Sequence, residues 1–169
     1  KIKYEIHESE GKIFENKDLI SKKAISDYQQ EFRNISMAIN DRPDINGIVE
    51  IYKKIIRWEL ELEKSGDNSM NEVLSMQKQE LNNVFADFVE DNYIDWLGGK
   101  SKEKPIFSHT LFKEKVNPLI GVEDSVFLVM LDNFRYDQWK AIEPIIEELF
   151  RVDQDEIFYS ILPTSTQYS

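Results

Sequence analysis

The sequence has no cysteine and only two histidines, His7 and His109, among its 169 residues. The lack of cysteine excludes disulfide bonds and thiolate metal sites, and it is compatible with a reducing compartment. Neither histidine follows one of the apolar runs described below, so we predict no ligand role for either. A metal site made from this chain alone would therefore be short of ligands.

Long apolar runs are absent as well. No stretch approaches the roughly eighteen apolar residues of a membrane-spanning helix, and no charged start leads into a signal core. We therefore expect a cytoplasmic chain without membrane contact. The net charge of −11 argues against a protein that grips nucleic acid over its whole surface. The chain begins at Lys1 and stops shortly after its last apolar run, so we expect a segment of a longer protein.

The N-terminal half is predicted to be helical after a short hairpin within residues 1–20. Residues 21–97 carry three apolar stripes at helical spacing, separated by breaks at 41–44 and at Ser65–Gly66, which favours a three-helix bundle. Gln77 interrupts the third stripe and is either solvated or sets the helix register. The stripes consist of Ile25, Tyr28, Phe32, Ile35 and Ile39, then Ile48, Ile51, Ile55, Trp58 and Leu62, then Met70, Leu74, Leu81, Val84 and Phe88.

The C-terminal part alternates helices with candidate strands. Residues 98–107, with two glycines and Pro105, predict a linker, and Ser108 is a candidate cap for a helix over 110–119. The apolar runs Phe127–Leu131 and Ile157–Leu162 flank a helical pattern over 137–150, which predicts a strand, helix, strand unit of a parallel sheet. Residues 108–169 would form this α/β part.

Polar, metal-competent side chains follow both candidate strands. Asp132 comes directly after the first run, and Thr164 and Thr166 follow the second. Ligands of open α/β sheets gather beyond the carboxyl ends of the strands, so one oxygen-rich site could hold all three side chains. The alternatives are that Asp132 caps the next helix and that the threonines are helix-capping residues.

Two further charged residues, Arg135 and Asp137, stand beside this candidate site. The Arg135 guanidinium could meet a phosphate, but an ion pair with Asp137 or Glu143 is the simpler interpretation. Asp137 is predicted to open the helix, where a negative charge suits the helix dipole. Trp58 and Trp96 are predicted to be core residues.

Two motifs carry a family resemblance. Leu131–Trp139, with the sequence LDNFRYDQW, and Leu162–Ser169, with the sequence LPTSTQYS, resemble the start of a PglZ domain of the alkaline phosphatase superfamily. Residues 27–96 resemble the helical segment before that domain in PorX-type response regulators of Bacteroidetes. The resemblance implies an alkaline-phosphatase-like sheet and a two-zinc site in which Asp132 and Thr166 serve one ion, with the remaining ligands beyond Ser169. It also implies that Thr166, rather than Thr164, is the nucleophile.

The resemblance further implies a partner set and a cellular role. It points to a zinc-dependent phosphodiesterase acting on nucleotides, a receiver domain that accepts phosphate from a sensor histidine kinase, a homodimer, and control of type IX secretion with a sigma-type transcription factor as partner. The present chain alone would then be inactive and bind zinc weakly. The rival hypothesis is a non-catalytic helical module for dimerisation or for contacting a transcription factor.

Overall fold

The computed structural model describes residues 19, 22–23, 25–66, 68–101, 104–122 and 125–165. The chain divides into two compact units between Phe88 and Val89. The hairpin predicted within residues 1–20 lies outside the described residues, apart from Leu19, which is helical. None of the helices in the described part is both long and apolar enough to cross a membrane.

Three helices build the first unit, as the apolar stripes predicted. Helix α1 covers residues 25–40, α2 covers Ile45–Ser65, and α3 covers Asn71–Leu97, whose residues from Val89 onward belong to the second unit. Isoleucine, leucine and tyrosine side chains from the three stripes are almost fully buried together, which confirms the helical prediction for this region. The buried cluster consists of Tyr28, Ile35, Ile39, Ile48, Ile51, Ile55, Leu62, Leu74 and Leu81.

Local signals fix both ends of α2. The Asp44 carboxylate accepts a hydrogen bond from the Gly47 amide at 2.7 Å, which satisfies one of the free N–H groups of the first turn. At the other end Gly66 adopts φ 73°, a left-handed conformation that costs glycine little, and its N–H donates to the Glu63 carbonyl at 3.1 Å. The sequence breaks at 41–44 and Ser65–Gly66 therefore act as a start and a stop.

The Asp44 cap gives a direct stability prediction. Asp44→Ala removes the acceptor and should lower the free energy of unfolding of the chain by about 1 kcal/mol. Asp44→Asn keeps a side-chain oxygen at the same place and serves as the matched control, with an expected loss of a few tenths of a kcal/mol at most. Urea denaturation followed by circular dichroism measures both, and equal midpoints for Asp44→Ala and the unchanged chain would contradict a role for this bond.

Gln77 is buried within the bundle instead of lying in solvent. Its side chain is 1% exposed, and its oxygen accepts a hydrogen bond from the Tyr28 hydroxyl at 2.8 Å. Its nitrogen donates to the Phe32 carbonyl and to the Ser36 hydroxyl, both at 3.0 Å. All three partners lie on α1 at four-residue intervals, so the register-setting interpretation of Gln77 agrees with these contacts and the solvated one does not.

The second unit starts with the end of α3 and continues into short helical segments. Helix α4 covers Ser108–Leu111 and passes into a π-helical turn, Phe112–Val116, and a 3₁₀ turn, Asn117–Leu119. The N-cap position belongs to Phe107 and not to Ser108, because the helix begins at Ser108, and the Phe107 N–H donates to the Thr110 hydroxyl at 3.4 Å. Helix α5 covers Tyr136–Glu147, close to the predicted range of 137–150.

The two predicted strands are wrong for the described chain. Residues 127–131 have no regular secondary structure and are exposed, from 58% for Leu131 to 89% for Phe127, and no strand forms among the residues that the structure describes. In the second run Tyr159 makes a single parallel bridge to Phe107. A parallel strand buried on both faces needs neighbouring strands and helices on each side, and the described residues offer α5 without such neighbours.

Candidate functional site

The Asp132 turn leads into α5. Asp132 is exposed, and its carboxylate accepts a hydrogen bond from the Asn133 amide at 2.9 Å. Asn133 has φ 54°, a left-handed conformation that asparagine tolerates better than most residues. The N-cap position of α5 belongs to Arg135, so Asp132 is not the residue that caps this helix. Its carboxylate stands on a tight turn between the apolar run and the helix.

A second set of contacts holds the start of α5. The backbone N–H of Arg135 donates to the Gln138 side-chain oxygen at 3.0 Å. The Arg135 guanidinium donates to both oxygens of Asp137, at 2.9 and 2.7 Å, and this is the ion pair considered from the sequence. The hydrogen bond from Arg135 is the main cause that lowers the pKa of Asp137. Asp137 therefore opens the helix as an anion, as predicted.

The threonines predicted to act with Asp132 lie at the end of the described chain. Thr164 is exposed and follows the cis peptide bond between Leu162 and Pro163. Thr166 lies outside the described residues, so its role as nucleophile and its distance from Asp132 stay predictions. The second run leading to them is fastened at its end, because the Tyr93 hydroxyl accepts a hydrogen bond from the Leu162 N–H at 2.6 Å.

The end of the predicted linker pairs with this second run. The Tyr159 N–H donates to the Ile106 carbonyl at 2.9 Å, and the Ser108 N–H donates to the Tyr159 carbonyl at 2.8 Å. Phe107 is buried beside the rings of Tyr93 and Trp96, at centroid distances of 6.0 and 6.1 Å. Burial of the Tyr159 side chain raises its pKa to about 12, so its hydroxyl is neutral near pH 7.

Sequence reasoning missed a charged cluster on α5. The Lys140 ammonium lies 2.8 Å from both oxygens of Glu143 and 2.6 Å from Asp155, and it sits 5.5 Å from the centre of the Tyr136 ring. Burial acts to lower the pKa of Lys140, but hydrogen bonds to Asp155 and Glu143 outweigh it and raise the pKa. The three-residue spacing of Lys140 and Glu143 could have indicated their pairing, whereas nothing local points to Asp155.

A zinc ion requires more ligands than the described residues bring together. Structural and catalytic zinc ions take three or four protein ligands. Among the described residues no group of three or more histidine, cysteine, aspartate or glutamate side chains is placed to hold a metal ion. Asp132 fits one ligand position, being an exposed carboxylate on a fixed turn. His109 stacks on the Phe107 ring at 6.0 Å, and His7 lies outside the described residues.

Two known families match successive parts of the chain. Residues 18–97 match the PorX response regulator linker domain, and residues 111–169 match the BREX system PglZ alkaline phosphatase-like domain. A search of curated proteins gave no significant match. The first match covers the helical bundle, and the second covers α5, Asp132 and the threonines. The chain therefore carries the linker and PglZ regions of a PorX-type response regulator.

Proposed function

We propose that this chain contributes the first catalytic positions of a zinc-dependent phosphodiesterase that serves as the output domain of the response regulator. The observation that carries the proposal is the position of Asp132, an exposed carboxylate on a left-handed turn inside the region that matches an alkaline phosphatase-like domain. A hard oxygen ligand held on a short turn is suited to a divalent cation. Asp132 would supply one ligand, and Thr166 would supply the attacking oxygen.

The proposed chemistry is in-line attack of the Thr166 hydroxyl oxygen on the phosphorus of a phosphodiester. The new bond joins that oxygen to phosphorus, the bond to the leaving alcohol breaks, and the hydroxyl proton leaves with that alcohol. Water then hydrolyses the phosphothreonine, which regenerates the threonine hydroxyl and releases the phosphate monoester. Two zinc ions, when bound, would neutralise charge on the attacking and leaving oxygens. Asp132 would supply a negatively charged oxygen ligand at a fixed position on its turn. Further ligands would come from outside this chain.

The proposal extends to a substrate class and a regulatory setting. A nucleotide phosphodiester is the proposed substrate, with a receiver domain and sensor histidine kinase upstream. Type IX secretion, a sigma-type transcription factor and a homodimer complete the proposed setting. The match to the PorX linker domain supports these partners by family membership, and the contacts described above do not bear on them.

Replacement of Asp132 tests the metal assignment. In the zinc-loaded full-length protein, Asp132→Asn should lower the zinc content and slow hydrolysis of bis(p-nitrophenyl) phosphate by at least about a hundredfold, because an amide is a poor substitute for an anionic ligand. Zinc content is measured by elemental analysis and hydrolysis by absorbance. Asp153→Asn, at an exposed acid of the same unit, is the control and should change neither quantity more than about twofold.

The outcomes separate the two function hypotheses. Loss of zinc and of activity in Asp132→Asn alone supports the phosphodiesterase. Full zinc content and full activity in that variant would remove Asp132 from the site. A full-length protein that binds no zinc and hydrolyses no phosphodiester would favour the non-catalytic interaction module instead.

A further inference from the structure

The charged cluster around Lys140 joins two parts of the second unit. Lys140 and Glu143 lie on α5, whereas Asp155 lies in the segment after it, and the Tyr136 hydroxyl also donates to the Asp155 carboxylate at 3.5 Å. The cluster therefore spans the loop over residues 148–154. A neighbouring ion pair between Lys115 and Glu156 fastens the same segment to the π-helical turn.

The positions of these residues connect the two ends of the proposed site. Helix α5 begins four residues after Asp132, and Asp155 lies two residues before the run that leads to Thr164 and Thr166. A contact between Lys140 and Asp155 consequently fixes where the second run starts relative to the helix that carries the Asp132 turn. Without this contact, the loop over residues 148–154 would allow a wider range of distances between α5 and the second run.

Burial makes this cluster stronger than an ordinary surface ion pair. The Lys140, Glu143 and Asp155 side chains are 26%, 18% and 27% exposed, whereas the Arg151 and Asp153 side chains of a nearby ion pair are 86% and 70% exposed. Exposed pairs are screened by water and contribute little. Loss of Lys140 would also leave two half-buried carboxylates close to each other without their shared cation, and this opposes the observed packing.

We propose that Lys140 is a positioning residue that sets the distance between the Asp132 turn and the second apolar run, residues 157–162. The inference rests on the proposed function, because the distance matters only if both ends act on one phosphate. The Lys140 ammonium contacts Glu143 on α5 and Asp155 in the segment after it. Its effect on the reaction is therefore indirect and acts through the position of Asp155. A displacement of about 1 Å in such a site can slow a reaction on the order of a hundredfold.

The first measurement needs no zinc and no substrate. Hydrogen exchange of the zinc-free full-length protein should show faster exchange of backbone amides 157–162 in Lys140→Met, because the segment loses its ion pair with α5 and keeps with this helix only the 3.5 Å hydrogen bond from Tyr136 among the contacts described above. Arg151→Met removes an exposed cation from the loop after α5 and is the matched control. It should leave the exchange of amides 157–162 unchanged. Unchanged exchange in Lys140→Met would overturn the proposal.

The second measurement is kinetic. With zinc loaded and bis(p-nitrophenyl) phosphate as the probe, Lys140→Met should lower kcat by about tenfold to a hundredfold, while KM changes by less than about threefold and zinc content is retained. Lys140→Arg keeps the cation and should restore most of kcat. The double variant Lys140→Met/Asp155→Asn should lose less than the sum of the two single effects on ln kcat, because both act through one contact.

The remaining outcomes separate the positioning role of Lys140 from the proposed phosphodiesterase function. A kcat within twofold of the unchanged protein, or effects of Lys140→Met and Asp155→Asn that simply add, would overturn the positioning role while the phosphodiesterase proposal stands. Absence of zinc and turnover in the unchanged protein would refute that function, and with it the catalytic sense of the inference. If Lys140→Met does not fold, Asp155→Asn, which removes the charge of the other partner in the same contact, carries the same test in both measurements.

Discussion

Replacing Thr166 with valine in the full-length protein is expected to lower turnover of bis(p-nitrophenyl) phosphate by at least about a thousandfold. Valine nearly matches threonine in shape but has a methyl group in place of the hydroxyl, so the variant lacks the attacking oxygen. The melting temperature should change little, and any loss of zinc should be smaller than in Asp132→Asn, because a neutral hydroxyl is a weaker ligand than a carboxylate. Steady-state kinetics, thermal denaturation and elemental analysis of one preparation make the three measurements.

Thr164→Val is the matched control for this prediction. It makes the same change two residues earlier, at an exposed position, and should keep activity within about threefold. If Thr164→Val is inactive and Thr166→Val is active, the nucleophile is Thr164. If both variants turn over the diester at the original rate, neither threonine is the nucleophile and the proposed mechanism is refuted.

Loss of Gln77 is expected to have the largest effect on the bundle. Gln77→Ala removes a buried side chain with its three hydrogen bonds and should lower the free energy of unfolding by about 2 to 4 kcal/mol. Burial raises the pKa of Tyr28 to about 12, so at neutral pH its hydroxyl is a neutral donor that loses its acceptor. Urea denaturation of the chain followed by circular dichroism measures the loss.

Two further variants separate hydrogen bonding from packing. Gln77→Leu fills most of the volume but gives the Tyr28 hydroxyl no acceptor, whereas Gln77→Leu/Tyr28→Phe removes donor and acceptor together and should be the more stable of the two. Gln79→Ala, at an exposed position on the same helix, should cost no more than about 0.5 kcal/mol. A Gln77→Ala midpoint equal to that of Gln79→Ala would contradict the importance of the buried contacts.

The helical part could be predicted from the sequence because its signals are local. The stripe containing Ile48, Ile51 and Ile55 repeats at the period of the helix that it forms, and Gly66 ends α2 through its own backbone conformation. Gln77 was visible as an interruption of its stripe. Its burial could not be predicted, because the partners that satisfy it lie more than forty residues earlier, on α1.

The second unit was harder to predict because its contacts are between distant residues. An apolar run such as Phe127–Leu131 has the composition of a buried strand, but composition does not say whether neighbouring strands stand beside it. Asp132 could be located from the sequence since a polar residue ending an apolar run is visible there. The ion pair between Lys140 and Asp155 could not be predicted from the sequence, because Asp155 lies outside α5 and no local pattern connects the two residues.

The exposure of Phe127–Leu131 has a consequence for the chain in solution. These five consecutive apolar residues, each at least 58% exposed, form an apolar surface segment of the kind that promotes association or binds hydrophobic dyes. Within 127–131 there is no charged residue or proline to oppose such association, and Asp132 is the first charge to follow. Among the described residues, the run 127–131 is therefore where we expect association between copies of this chain to start.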